Sequence, residues 1–186
     1  MSQKIFRIFT IIVISVATLC ALIGGTYFYE NFLYTNPLEK TVAQMKGVEV
    51  FTVEHTKDRL LIKVQFNQED KLRPSFYQLL HEVQQLNKND LNNLVININN
   101  DFDQEIASFM QAAKLPIYEA LSTGQYTQLP EELALLAEKE ELTYELDLDQ
   151  QYIFLTAYQD GQVGHQVIMR TETPFSVFTT MGEEQI

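Results

Sequence analysis

The chain has 186 residues, with 25 acidic side chains against 13 basic ones and a formal net charge of −12. That sign offers no basic footprint to neutralise phosphates, so nucleic-acid binding is disfavoured, as is peripheral attachment to anionic lipid, and no nucleic-acid partner is expected. The single cysteine, Cys20, leaves the chain without an internal disulfide or a thiolate metal cluster.

Residues 1–7 form a short tail carrying Lys4 and Arg7. From Ile8 to Tyr29 the chain is uncharged and mostly apolar. At about 1.5 Å per residue this run predicts a helix of roughly 33 Å, enough for a hydrocarbon core of about 30 Å. The expectation is therefore an uncleaved signal-anchor at 8–29, since a signal peptide has an apolar region of roughly 7 to 15 residues and an A-x-A-like site. A cleaved leader, or lipid attachment at Cys20, is the competing reading. Both tail bases precede the run, and the first charge after it is Glu30. The positive-inside bias then predicts a single-pass protein of the cell membrane, N-terminus cytoplasmic and the remainder extracytoplasmic, touching lipid through its anchor. Residues 30–46 read as a juxtamembrane linker.

The domain proper is expected at 47–170. Leu60, Ile62, Val64 and Phe66 alternate with polar residues, the period of a half-buried strand. The preceding Val48 to Glu54 changes phase between Val50 and Phe51, which suggests a bulge or an edge. Leu72, Phe76, Leu79, Leu80, Val83 and Leu86 recur at helical spacing, with Pro74 tolerated in the first turn. Leu94 to Ile98 predicts a short strand. Ile106, Phe109, Met110, Ala113, Ile117 and Leu121 predict a second helix, capped by Asp101 or Asp103, broken or kinked at Pro116 and ended by Gly124. Pro130 to Glu141 predicts a third. Leu142 to Asp149 alternates strictly, Tyr152 to Tyr158 is apolar on both faces as a covered central strand is, and Val163 to Arg170 returns after an Asp160–Gly161 hairpin turn. The fold class is thus α+β, one domain with a mainly antiparallel sheet of about five to six strands packed by about three helices. In the C-terminal tail, 171–186, Phe175, Val177 and Phe178 suggest an edge strand or a docking segment.

Asn97, Asn99, Asp101, Asp103 and Glu105 place oxygens at every second position, like the first half of a calcium loop. Phe102 and Ser108 stand where such a loop needs Gly and a bidentate Glu, so Asp101 and Asp103 are weak metal candidates and strand-end capping explains them more cheaply. The same two, or Asp147 with Asp149, are the carboxylate pairs a hydrolase would need, yet both fall on faces expected to be wet. His165 alternates with Val163, Val167 and Met169 and so points inward. Together with Tyr152 and Tyr118, beside the Pro116 kink, it defines the speculative ligand pocket. No serine lies in a nucleophile-elbow context, and no glycine loop opens a helix toward phosphate. The acidic stretch from Glu131 to Asp149 reads as a solvated face, or as a dock for a basic partner.

These features predict no cofactor and no catalytic residue. The leading functional expectation is a non-enzymatic interaction or assembly module anchored in the bacterial cell envelope, with a protein partner there. An extracytoplasmic domain that binds or senses a small ligand is the alternative, and a carboxylate-dependent hydrolase the further one.

Overall fold

The computed structural model describes residues 13–21, 42, 45–56, 59–86 and 92–181. Strands β1 (Val48–Thr56) and β2 (Arg59–Phe66) pair antiparallel, with a register slip between Val48 and Val50, close to the expected phase change. Helix α1 (Leu72–Leu86) then carries the chain across, so that β3 (Leu94–Asn100) lies parallel to β2. Helices α2 (Gln104–Thr123) and α3 (Leu129–Lys139) follow, and then β4 (Thr143–Leu148), β5 (Tyr152–Gln159), β6 (Gln162–Met169) and β7 (Ser176–Met181).

These strands form two sheets, in the orders β1-β2-β3-β7 and β4-β5-β6. The expected single, mainly antiparallel sheet is corrected by this arrangement. Only the three-stranded sheet is wholly antiparallel, whereas β2, β3 and β7 run parallel to one another. Alternation within a strand reports which face is buried and carries no information on the direction of its neighbour. Ser176–Met181 of the expected tail is the strand β7, on the far side of β3.

The membrane expectation is also corrected. Among the described residues, no helix is long and apolar enough to cross a membrane. This finding overturns the signal-anchor and the single-pass localisation. Ile8, Tyr29, Lys4 and Arg7 lie outside the described residues.

Sheet β4-β5-β6 separates two cores. On one side Tyr152, Phe154 and Val167 pack with Phe76, Leu79 and Val83 of α1 and with Ile62, Val64, Ile96 and Ile98 of the larger sheet. On the other, Ile153, Leu155 and Ala157 pack against Ile106, Phe109, Met110 and Ala113 of α2 and Leu133 and Ala137 of α3. Both faces of β5 are covered, as its unbroken apolar run predicts. Pro116 lies inside α2, which continues to Thr123 and ends at Gly124 in the left-handed region with φ 73°. Asp160 and Gly161 take φ 48° and 80° at the β5–β6 turn, the two positive angles a type I′ hairpin requires.

Candidate functional site

Asp149 follows β4 and organises the turn into β5. Its Oδ1 accepts the Gln151 N–H at 2.8 Å and the Tyr152 N–H at 2.9 Å. Its Oδ2 accepts the Tyr77 hydroxyl at 2.8 Å and lies 3.3 Å from Arg73 Nε, both on α1. Arg73 Nη1 also donates to the Asp147 carboxylate, at 3.0 and 3.3 Å. Burial pulls the Asp149 pKa upward, but the backbone donors, the Tyr77 hydroxyl and the Arg73 charge outweigh it and hold the group below its ordinary value. Burial first, then the neighbouring Asp149, pushes the Tyr77 and Tyr152 hydroxyls up to about 12. Arg73 and Tyr77 thus hold Asp147 and Asp149 as a clamp between α1 and the β4–β5 turn. Arg170 strengthens that turn. Its Nη1 donates to the Asp149 carbonyl, its Nε to the Tyr126 hydroxyl at 3.3 Å, and its guanidinium stacks 4.2 Å over the Tyr126 ring.

The second polar cluster joins the two sheets. Asn100 ends β3 in phase with buried Leu94, Ile96 and Ile98 and is only 3% exposed. Its side-chain amide pairs with the backbone of His165 on β6 as a strand would: Oδ1 accepts the His165 N–H at 2.7 Å, and Nδ2 donates to the His165 carbonyl at 3.0 Å. Nδ2 also reaches the Thr180 carbonyl of β7 at 3.4 Å. The His165 ring is 3% exposed, with Nδ1 at 3.2 Å from the Thr156 hydroxyl and Phe66 edge-on at 6.1 Å. Its Nε2 has no hydrogen-bond partner. Burial lowers its pKa to about 4, against a small opposing effect of the Asn67 backbone, so the ring is neutral near pH 7.

Tyr152 shares the α1-facing side of this sheet with His165 and is packed among Phe76, Tyr77 and Phe154. Tyr118 is 61% exposed on α2, which packs on the opposite side. The structure therefore does not bring Tyr118 to the other two residues of the expected pocket. An open concavity of about 390 Å³ instead lies at the β5–β6 turn, lined by Glu141, Thr143, Tyr158, Gln159, Asp160 and Gln162 among others. Its walls are polar, and it lacks the apolar lining usual for small-molecule sites. Asp101 and Asp103 are exposed, and the Asp103 N–H donates to Gln162 Oε1 at 2.6 Å. Asp103 precedes α2 without making a side-chain cap. Among the described residues, no group of three or more His, Cys, Asp or Glu is placed to hold a metal ion.

The outer surface of the α2–α3 pair carries the most exposed of the large apolar side chains of the two-sheet domain. Leu115 is 76% exposed and Leu135 70% exposed, with Tyr118 beside Leu115. A short connection makes the helices antiparallel, and at the open end of the pair Ser108 donates to the Glu140 carboxylate at 3.3 Å. Leu115 and Leu135 consequently stand within about one turn of the same height. Leu115 is opposite the buried stripe of α2, and Tyr118 follows one turn later on the same outer side. Glu131 and Glu138 flank Leu135 one turn to either side. Sequence reasoning gave Leu115 no outward role, although its place opposite the Ile106 to Ile117 stripe was a readable signal.

Fold and site together define a two-sheet α+β domain with a clamped α1, a stitched sheet seam and an uncovered helix face. No family model, curated protein sequence or solved structure matches this chain.

Proposed function

We propose that the domain is a non-enzymatic protein-binding module that presents the outer face of the α2–α3 pair to a polypeptide partner. One observation supports it above the others: Leu115, Tyr118 and Leu135, on the outer sides of these two helices, are each more than half exposed. Single exposed apolar residues are ordinary, whereas a clustered band within a charged rim is the usual anatomy of a recognition surface. The rim here is mostly acidic, with Glu119, Glu131 and Glu138 against Lys114. A partner contributing apolar side chains between basic ones fits it best.

The test is a photoreactive side chain at position 115 or 135 in the full chain, with Asp160 at the hairpin tip as the control position. The expected result is one adduct formed from both helix positions and absent at 160, with the adduct from position 115 lost on Leu135→Lys and the adduct from position 135 lost on Leu115→Lys. Equal labelling at all three positions, or an adduct that survives the lysine at the other helix position, would rule this face out.

A further inference from the structure

We infer that the concavity at the β5–β6 turn is a binding site for a neutral, polyhydroxylated ligand, a carbohydrate. It is a different surface from the helix face above and stands independently of it. Three segments distant in sequence form the hollow: the β2–α1 connection at Gln68, the turn after α3 at Glu141, and the β5–β6 hairpin at Asp160. Its volume of about 390 Å³ falls within the range usual for small-ligand sites. Among the described residues, Glu141 and Asp160 are the two non-glycine residues in the left-handed region, at φ 54° and 48°, and both line this hollow. The hairpin turn accounts for Asp160. Glu141 stands past the end of α3, where glycine is the usual occupant, and its carboxylate has no hydrogen bond or ion pair among the described residues. The fold gains nothing from a glutamate there, and backbone strain of this kind gathers at ligand-binding positions.

The lining decides the chemical class. It contains two carboxylates and no Lys or Arg, so an anion is repelled. Its amides are neutral and already held in place. Gln162 Oε1 accepts the Asp103 N–H at 2.6 Å, which leaves the Gln162 Nε2 hydrogens to donate. Gln159 Nε2 donates to the Glu140 carbonyl at 2.9 Å, which leaves Gln159 Oε1 to accept. A sugar hydroxyl both donates and accepts, so it pairs with carboxylate and amide alike, whereas a cation uses the oxygens alone. Tyr158 supplies the aromatic ring of the lining, half-buried and with its hydroxyl 3.4 Å from Glu145 Oε2. Such a ring is a flat apolar body with a polar tip, against which the C–H face of a pyranose stacks. A metal ion has no comparable seat, because no group of three or more His, Cys, Asp or Glu among the described residues is placed to hold one. The polar walls that disfavour an apolar ligand thus match a molecule rimmed by hydroxyls. The hollow is open and its contacts are few, so the dissociation constant is on the order of 1 mM.

The experiment records ¹H–¹⁵N correlation spectra of the full chain during titration with glucose, galactose, mannose and N-acetylglucosamine, each to about 10 mM, with glucuronic acid and glucosamine as anionic and cationic controls. The expected result is saturable shifts with at least one neutral sugar, centred on Gln68, Glu141, Thr143 and the β5–β6 hairpin, and none with glucuronic acid. Glu141→Gly should weaken binding about tenfold through loss of one charge-assisted hydrogen bond, while the melting temperature holds or rises. A variant that melts no lower yet binds less separates the site from the fold. Tyr158→Leu should weaken binding about fivefold, with circular dichroism showing whether its fold persists. No saturable shift with any of the four neutral sugars, shifts centred elsewhere, equal binding of glucuronic acid, shifts with glucosamine alone, or unchanged affinity in Glu141→Gly would each overturn the inference.

Discussion

At the scale of single residues, Asn100 and His165 bear the most structural consequence. The Asn100 amide substitutes for a strand at the seam, and removing it leaves the buried N–H and C=O of His165 without those partners. Unsatisfied buried groups cost about 1 to 3 kcal/mol each, so Asn100→Ala should destabilise the domain by about 2 to 4 kcal/mol in urea unfolding. A loss within the few tenths typical of exposed positions would mean that the seam holds without it. His165 gives a pH dependence whose sign follows from its folded pKa of about 4 against an ordinary 6.5. The unfolded chain binds the proton first, so stability is full above about pH 6.5 and falls as the pH drops toward 4, by about 3 kcal/mol in all. Asp149, held below its ordinary pKa, adds a second loss at still lower pH. His165→Phe should flatten the first of these windows and leave the second. Asn100 was readable in the sequence as a polar residue in phase with Leu94, Ile96 and Ile98, but its partner, sixty-five positions away, was not, because register between non-adjacent strands has no local signature.

At the scale of elements, close approach and capping decide what is tolerated. A Cβ on Gly164 of β6 would sit 2.6 Å from Ile106 Cγ2 and 2.8 Å from the Phe102 ring, so this strand meets the start of α2 only because a hydrogen stands there. Gly164→Ala should cost about 1 to 3 kcal/mol, the usual range for overpacking. A thermal shift indistinguishable from the parent's would show that α2 can give way. The end of α3 has the opposite defect. Glu141 is held at φ 54°, in the left-handed region where a side chain is strained and glycine is not. Glu141→Gly should raise stability modestly, by about 0.5 to 1 kcal/mol, read as an increase in melting temperature. The helices themselves were legible, since the buried stripe of each coincides with its apolar spacing. The continuation of α2 through Pro116 was not, because packing of Ile117 and Ala120 against the sheet outweighs one missing backbone bond.

At the scale of the whole molecule, the clamp of Arg73, Tyr77 and Asp149 fixes α1 against the smaller sheet, and with it the larger sheet that α1 joins. Tyr77→Phe and Asp149→Asn should each destabilise the fold, and the double variant should lose less than the sum, because both remove the same bond. Strict additivity would mean that the Tyr77 hydroxyl and the Asp149 carboxylate act separately. The acids of β4 were read as a solvated face, and Asp147 does keep partial exposure. What sequence spacing did not disclose is that Arg73, seventy-four positions earlier, would turn that face into a junction.

The sequence by itself determined where the helices α1 to α3 and the strands β1 to β6 lie, which side of each is apolar, the tight turn at Asp160–Gly161 and the acidic surface, because these follow from local periodicity, backbone freedom and composition. Only the tertiary structure decided that the strands divide into two sheets, that β2, β3 and β7 run parallel, and that Asn100, Arg73 and Asp149 serve as junctions. Strand direction and partnership depend on contacts between distant segments, and a period of two is the same whether the neighbour runs with a strand or against it.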